Sequence, residues 1–182
     1  ALCLVEATGQ QILDALEMGA RKYPQTSGGF LQVSGLTYTL DPSTPSSVVL
    51  SDKGMFQRVE GPYRVSDVKV GGQPLVLDQV YTVASHNYMI KSGGDGFSMF
   101  QDDRLLKDCT MLDNQALIGY VAEELDGLVG AAYQDPAGQD RITILSDVSE
   151  PEPVTGTQPQ DRTYTVQKGD CLWSIAARQL GD

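Results

Sequence analysis

The residues whose types and spacing best suit chemistry lie in SHNYMIKSGGDGFSMF, Ser85 to Phe100. His86 and the aromatic Tyr88 run ahead of a Gly-Gly-Asp-Gly turn, Gly93 to Gly96, which holds the carboxylate Asp95. Glycines tolerate positive φ and let a backbone come close to a ligand. A phosphate loop needs GxxxxGK[ST], and no lysine follows these glycines. A calcium loop needs alternating acids, and only Asp95 is there. Taken alone, the motif is an ordinary turn. His86 has no nucleophile elbow or partner carboxylate, so a structural histidine is expected. Phe30, after Gly28-Gly29, is a second aromatic beside glycines and by itself reads as a core residue entering a strand. Glu123, Glu124 and Asp126 follow helical spacing as a solvated face. No catalytic constellation emerges, and no catalytic or metal-ligating residue is assigned.

Charge narrows the partners. With a net charge of −11 and a pI near 4.4, the surface repels phosphate backbones, so nucleic acid is not an expected partner. No run of 18 apolar residues exists to span a membrane. Cys3, Cys109 and Cys171 with one histidine make no zinc spacing, and no disulfide pairing follows from their positions. The opening ALCLVEATG carries neither a start Met nor a signal peptide and reads as the interior of a larger polypeptide.

The elements that must position these residues are legible in outline. LCLVEA reads as a buried strand. Thr8 with Gln11 forms a capping box for a helix whose stripe is Ile12, Leu13, Leu16 and Ala20, running to Lys22 and stopped by Pro24. SGGFLQVSGLTYTLD predicts a strand bent near Gly35, and VVLSDKGMF begins another. Val65, Val68 and Val70, the Gly71-Gly72 turn, then Leu75 and Leu77 are a hairpin pattern, and Val80, Tyr81 and Val83 predict a further strand. Asp113 is the expected cap of the helix NQALIGYVAEEL, with Leu117, Tyr120, Val121 and Leu125 on one face. RITIL closes as a strand. Helices at both ends of a strand-rich middle predict an α+β fold.

Several phrases occur together and in order: ATGQQILDALE at 7–17, GGFLQVSGLTYTLD at 28–41, GQPLVLDQVYTVASHNYMIKSGGDGF at 72–97 and GQDRITIL at 138–145. Over residues 1–146 the chain resembles the C-terminal domain of the 5′-nucleotidase family, which includes UDP-sugar hydrolases. The resemblance implies an α+β domain of mixed, mainly antiparallel sheets with flanking helices, incomplete at its N-terminus, since the family's Asn-Gly-Gly-x-x-Arg and Phe-Gly-Asn segments are not present. It implies a two-domain hydrolase in which a separate metallophosphoesterase domain holds two divalent metal ions, while this domain supplies a nucleoside pocket. No cofactor is expected on this portion itself.

Carried over residue by residue, Phe30 matches the first base-stacking aromatic, Tyr88 the second, and Asp95, after Gly94, the acid that binds the ribose hydroxyls. Tyr88 stands seven residues before Asp95, where six is common. Met89 occupies the six-residue position and is the alternative wall. The chemistry agrees with this assignment: stacked rings hold a base at about 1–3 kcal/mol each with little discrimination, and a carboxylate can accept from both ribose hydroxyls. The candidate substrates are nucleoside 5′-monophosphates, 2′,3′-cyclic nucleotides and UDP-sugars.

Residues 147–162, rich in Pro, Thr and acids, read as a linker. After them RTYTVQKGDCLWSIAARQLG resembles the start of a LysM module, with Tyr164, Val166, Gly169, Asp170, Leu172, Trp173 and Ile175 on its pattern, so that 163–182 is a truncated module. A complete module implies peptidoglycan as partner and a secreted, cell wall-associated bacterial enzyme.

Overall fold

The computed structural model describes residues 1–133 and 140–145; the linker and the LysM-like segment expected from the sequence lie outside the described residues. The fold is α+β. Strand β1 (Leu2–Thr8) alternates in burial, with Cys3, Val5 and Ala7 inward, and lies between β7 (Val80–His86) and β8 (Leu105–Met111), antiparallel to both. A second sheet orders β6 (Gln73–Pro74), β5 (Val65–Val70), β2 (Leu36–Leu40) and β9 (Ile142–Ile144). Its β2–β9 pair is parallel and the others antiparallel. The hairpin β3 (Val48–Leu50) and β4 (Phe56–Val59) pairs separately. Gly71 and Gly72, both at positive φ, make the β5–β6 turn that a side chain would strain.

Helix α1 (Gly9–Ala20) is the pillar between these layers. Thr8 Oγ1 accepts the Gln11 N–H at 3.3 Å, and Gln11 Oε1 accepts the Thr8 N–H at 2.7 Å, completing the expected capping box. Gln11 Nε2 then donates to Met99 O and Asp103 Oδ1, each at 2.7 Å, tying the cap to the loop that follows the GGDG turn. One side of the helix places Ile12, Leu16 and Ala20 with Tyr38, Leu40, Val65 and Val68. The other places Ala15 and Met18 with Ala7, Met89, Phe97 and Phe100. Each fully buried side chain of this size contributes about 1.5–3 kcal/mol, so α1 carries a large share of the core.

Three sequence expectations need correction. The helix ends at Ala20 rather than Lys22, because Arg64, itself buried, donates from Nη1 to Ala20 O at 2.9 Å and from Nη2 to Tyr23 O at 3.0 Å, turning the chain early. The strand expected across 28–41 is confined to β2. Residues 29–31 instead press on α1, where a Cβ on Gly19 would lie 3.0 Å from Leu31 Cγ and 3.1 Å from Gly29 O. Asp113 is not a cap but the first residue of α3 (Asp113–Gly119), which passes into a wider turn over Tyr120–Glu124. Its Oδ1 accepts from the adjacent Asn114 N–H at 3.0 Å, and Leu112 takes the cap position without a side-chain bond. The face of Leu117, Tyr120, Val121 and Leu125 contributes no buried residue.

Candidate functional site

The single-turn helix α2 (Asn87–Ile90) presents Tyr88 to solvent and turns Met89 inward. His86 caps it: Nδ1 accepts the Met89 N–H at 3.3 Å, and the imidazole lies 5.9 Å from the Tyr88 ring at an interplanar angle of 27°. That is a structural role and needs no catalytic one. Met89 joins Phe97 and Phe100 in the core, which leaves Tyr88, 52% exposed, as the flat surface facing outward. The seven-residue spacing thus still puts the aromatic outside.

The Tyr88 ring rests directly on Gly94, so any side chain there would collide with ring atoms Cδ1, Cε1 and Cζ. The phenol donates towards Asp95 Oδ1 at 3.5 Å. Gly93, Asp95 and Gly96 all have positive φ, at 61°, 55° and 90°. Glycine adopts this freely, whereas Asp95 in the left-handed region is a local strain held by its surroundings. Gly96 is required for a second reason: a Cβ there would strike Gly54 O and lie 2.6 Å from Met18 Cε. Phe97, fully buried, anchors the turn from below.

Phe30 arrives from the other side. Its backbone N–H donates to Ser27 O at 3.1 Å, and its half-buried ring stands 6.1 Å from Tyr23, tilted by 43°. The preceding Gly29 abuts the acidic turn: a Cβ built on it would lie 3.5 Å from Asp95 Cβ and 3.6 Å from Phe97 Cε2. The Gly29 backbone and the Tyr88 phenol, far apart in sequence, thus both lie against Asp95.

Sequence reasoning missed Arg21. Its Nη1 donates to Met18 O at 2.6 Å at the end of α1, and Nη2 reaches Asp95 O at 3.5 Å. Burial draws the guanidinium below its ordinary pKa, and the charge of Asp95 opposes that shift. The available signal was an Arg21-Lys22 pair just after a helix stripe, which reads equally well as a routine helix-end charge. An open groove of about 630 Å³ lined by Val70, Gln73, Pro74, Val76, Gln79 and Tyr81 contains none of Phe30, Tyr88, Gly94 or Asp95.

Among the described residues no group of three or more His, Cys, Asp or Glu is placed to hold a metal ion. Nor is any helix long and apolar enough to cross a membrane.

Comparison with known proteins gives the context. Residues 1–102 match the family model described as 5′-nucleotidase, C-terminal domain. The chain is 30% identical to the 5′-nucleotidase of Bos taurus over 66% of its own length and 20% of that protein. It is 32% identical to cell wall protein Lmo0130 of Listeria monocytogenes over 68% of its length and 14% of that protein. The crystal structure of a 5′-nucleotidase precursor from Thermus thermophilus superposes with a TM-score of 0.60 at 31% identity, covering 80% of this chain and 25% of that one. The chain thus spans a quarter or less of these relatives, and the stretch it spans settles its kinship: it belongs to the 5′-nucleotidase C-terminal domain family.

Proposed function

We propose that this chain is the substrate-recognition domain of a secreted, metal-dependent 5′-nucleotidase or related nucleotide phosphoesterase. Phe30 and Tyr88 stack on the two faces of the base, Asp95 accepts from the ribose hydroxyls, and Gly94 leaves room for the Tyr88 ring. The observation that carries the reading is the meeting of the Gly29–Phe30 loop and the Tyr88–Gly94 platform at Asp95. A pair of aromatic rings with a carboxylate suits a nucleoside, whose base is held by stacking and whose sugar offers paired hydroxyls. The net charge of −11 makes the surface unfavourable for a bare phosphate, which fits hydrolysis in a separate catalytic domain where two divalent ions offset that charge. A complete LysM module after the linker would hold such an enzyme on peptidoglycan.

The test is turnover of adenosine 5′-monophosphate with divalent metal added. The 182-residue chain alone is expected to give none, and joining the upstream domain is expected to restore it. In the joined protein Tyr88→Ala chiefly raises KM. Robust hydrolysis by the chain alone contradicts the division of labour.

A second reading is a non-catalytic nucleoside-binding or interaction module held at a cell wall. The similarity to the Listeria cell wall protein favours it. Adenosine binding with no hydrolysis in the joined, metal-loaded protein would select this reading.

A further inference from the structure

Strands β1 and β8 bring two cysteines to one carboxylate. Their register runs Leu2↔Met111 and Leu4↔Lys107, so one residue on β1, Cys3, faces three on β8, Asp108 to Thr110. Cys109 is the middle residue of that bulge, as Cys3 is the middle of its own stretch. Both thiols donate to the same atom, Asp108 Oδ1, each at 3.3 Å, so the two sulfurs share one acceptor and lie no more than about 6.6 Å apart. The other oxygen of Asp108 takes Lys91 Nζ at 2.6 Å. Cys109 is exposed and holds φ 47°, a left-handed conformation uncommon outside glycine; Cys3 is fully buried. Bulges re-aim side chains, and the register shift between Leu2 and Leu4 places Cys109 within such an irregularity.

We propose that Cys3 and Cys109 form an intrachain disulfide that staples β1 to β8. Cys3 and Cys109 both lie inside the irregular stretch bounded by Leu2↔Met111 and Leu4↔Lys107, and the bond needs their Cα atoms about 4.4–6.8 Å apart. The unequal exposure of the two thiols sets the order of events. The Cys109 thiolate attacks a sulfur of a small disulfide such as oxidised glutathione, forming a mixed disulfide and expelling one glutathione thiolate. The Cys3 thiolate then attacks the Cys109 sulfur, closing the protein bond and expelling the second. The protein loses two electrons and two protons, and the oxidant leaves as two thiols. Asp108, which accepts both S–H groups, retains its salt bridge to Lys91 after they are gone. This inference stands apart from nucleoside recognition and from the groups that carry it.

Tryptic cleavage separates the three cysteines cleanly, into Ala1–Arg21, Asp108–Arg141 and Gly169–Arg178. The chain is equilibrated in a buffer of oxidised and reduced glutathione, alkylated, and digested without reduction for mass spectrometry. The expected product is Ala1–Arg21 linked to Asp108–Arg141, with Gly169–Arg178 alkylated. Alkylation of both of the first two peptides, or a link from either to Gly169–Arg178, overturns the proposal. A Cys171→Ser chain provides a second readout: its free-thiol count falls from two to none on oxidation, with no covalent dimer. Two remaining thiols, or a dimer, contradict it equally.

Discussion

The two walls of the candidate site are built in opposite ways. Phe30 is half-buried, its ring tilted against Tyr23, whose carbonyl is held by buried Arg64, which also secures the end of α1. Tyr88 sits on a one-turn helix, half-exposed, supported by a glycine surface and the His86 ring. One wall is an extension of the core, and the other is a side chain laid on a loop. Changes to the first should therefore cost folding stability as well as binding. Changes to the second should cost binding alone.

The largest expected effect is on the core-linked wall. Arg64→Met removes the donors to the Ala20, Tyr23 and Pro42 carbonyls and the positive charge that favours ionised Glu17. A loss of about 3–5 kcal/mol is expected, read from urea denaturation midpoints. A change below about 1 kcal/mol would show that the Phe30 wall is not anchored through this residue. Next is Gly94→Ala, which drives a methyl into the Tyr88 ring. Adenosine affinity should fall about tenfold, within the range of one stacking contact, with little change in the denaturation midpoint because the exposed ring can swing away. Equal affinity in the variant would detach Tyr88 from the site.

The smallest effect is pH-dependent and belongs again to the core-linked side. Burial pushes the Glu17 carboxyl above its ordinary value of 4.5, although the backbone N–H groups of Val65 and Arg64 and the charge of Arg64 pull it down. The folded state therefore keeps this proton to higher pH than the unfolded chain. The contribution to stability is full below about pH 4.5 and declines as pH rises through the folded value. Glu17→Gln should flatten that decline in denaturation curves taken from about pH 4 upward. An unchanged slope would assign it to other groups.

How much of this could be read from the sequence follows the same division. The α1 stripe, its Thr8–Gln11 box and the Gly71-Gly72 hairpin were legible because local chemistry specifies them. The stripe of Leu117, Tyr120, Val121 and Leu125 was equally legible as a periodicity, yet none of it is buried among the described residues. Periodicity marks a face and is silent about what covers it. The α1 end at Ala20 depended on Arg64, which is distant in sequence, and residues 29–31 left the expected strand to press on a helical glycine. In the candidate site, Phe30, Tyr88, Gly94 and Asp95 came from family phrases rather than from pattern. Arg21 was invisible because its carbonyl partner on Asp95 is a tertiary contact. The exclusion of Met89 required knowing which way α2 faces.

The most direct test of the central claim is calorimetry of adenosine binding to the chain and to its Phe30→Ala and Tyr88→Ala variants. Each substitution is expected to weaken binding by about tenfold or more, consistent with about 1–3 kcal/mol per stacked ring, with only Phe30→Ala also lowering stability. Adenosine affinity that survives either substitution unchanged would contradict the two-walled site.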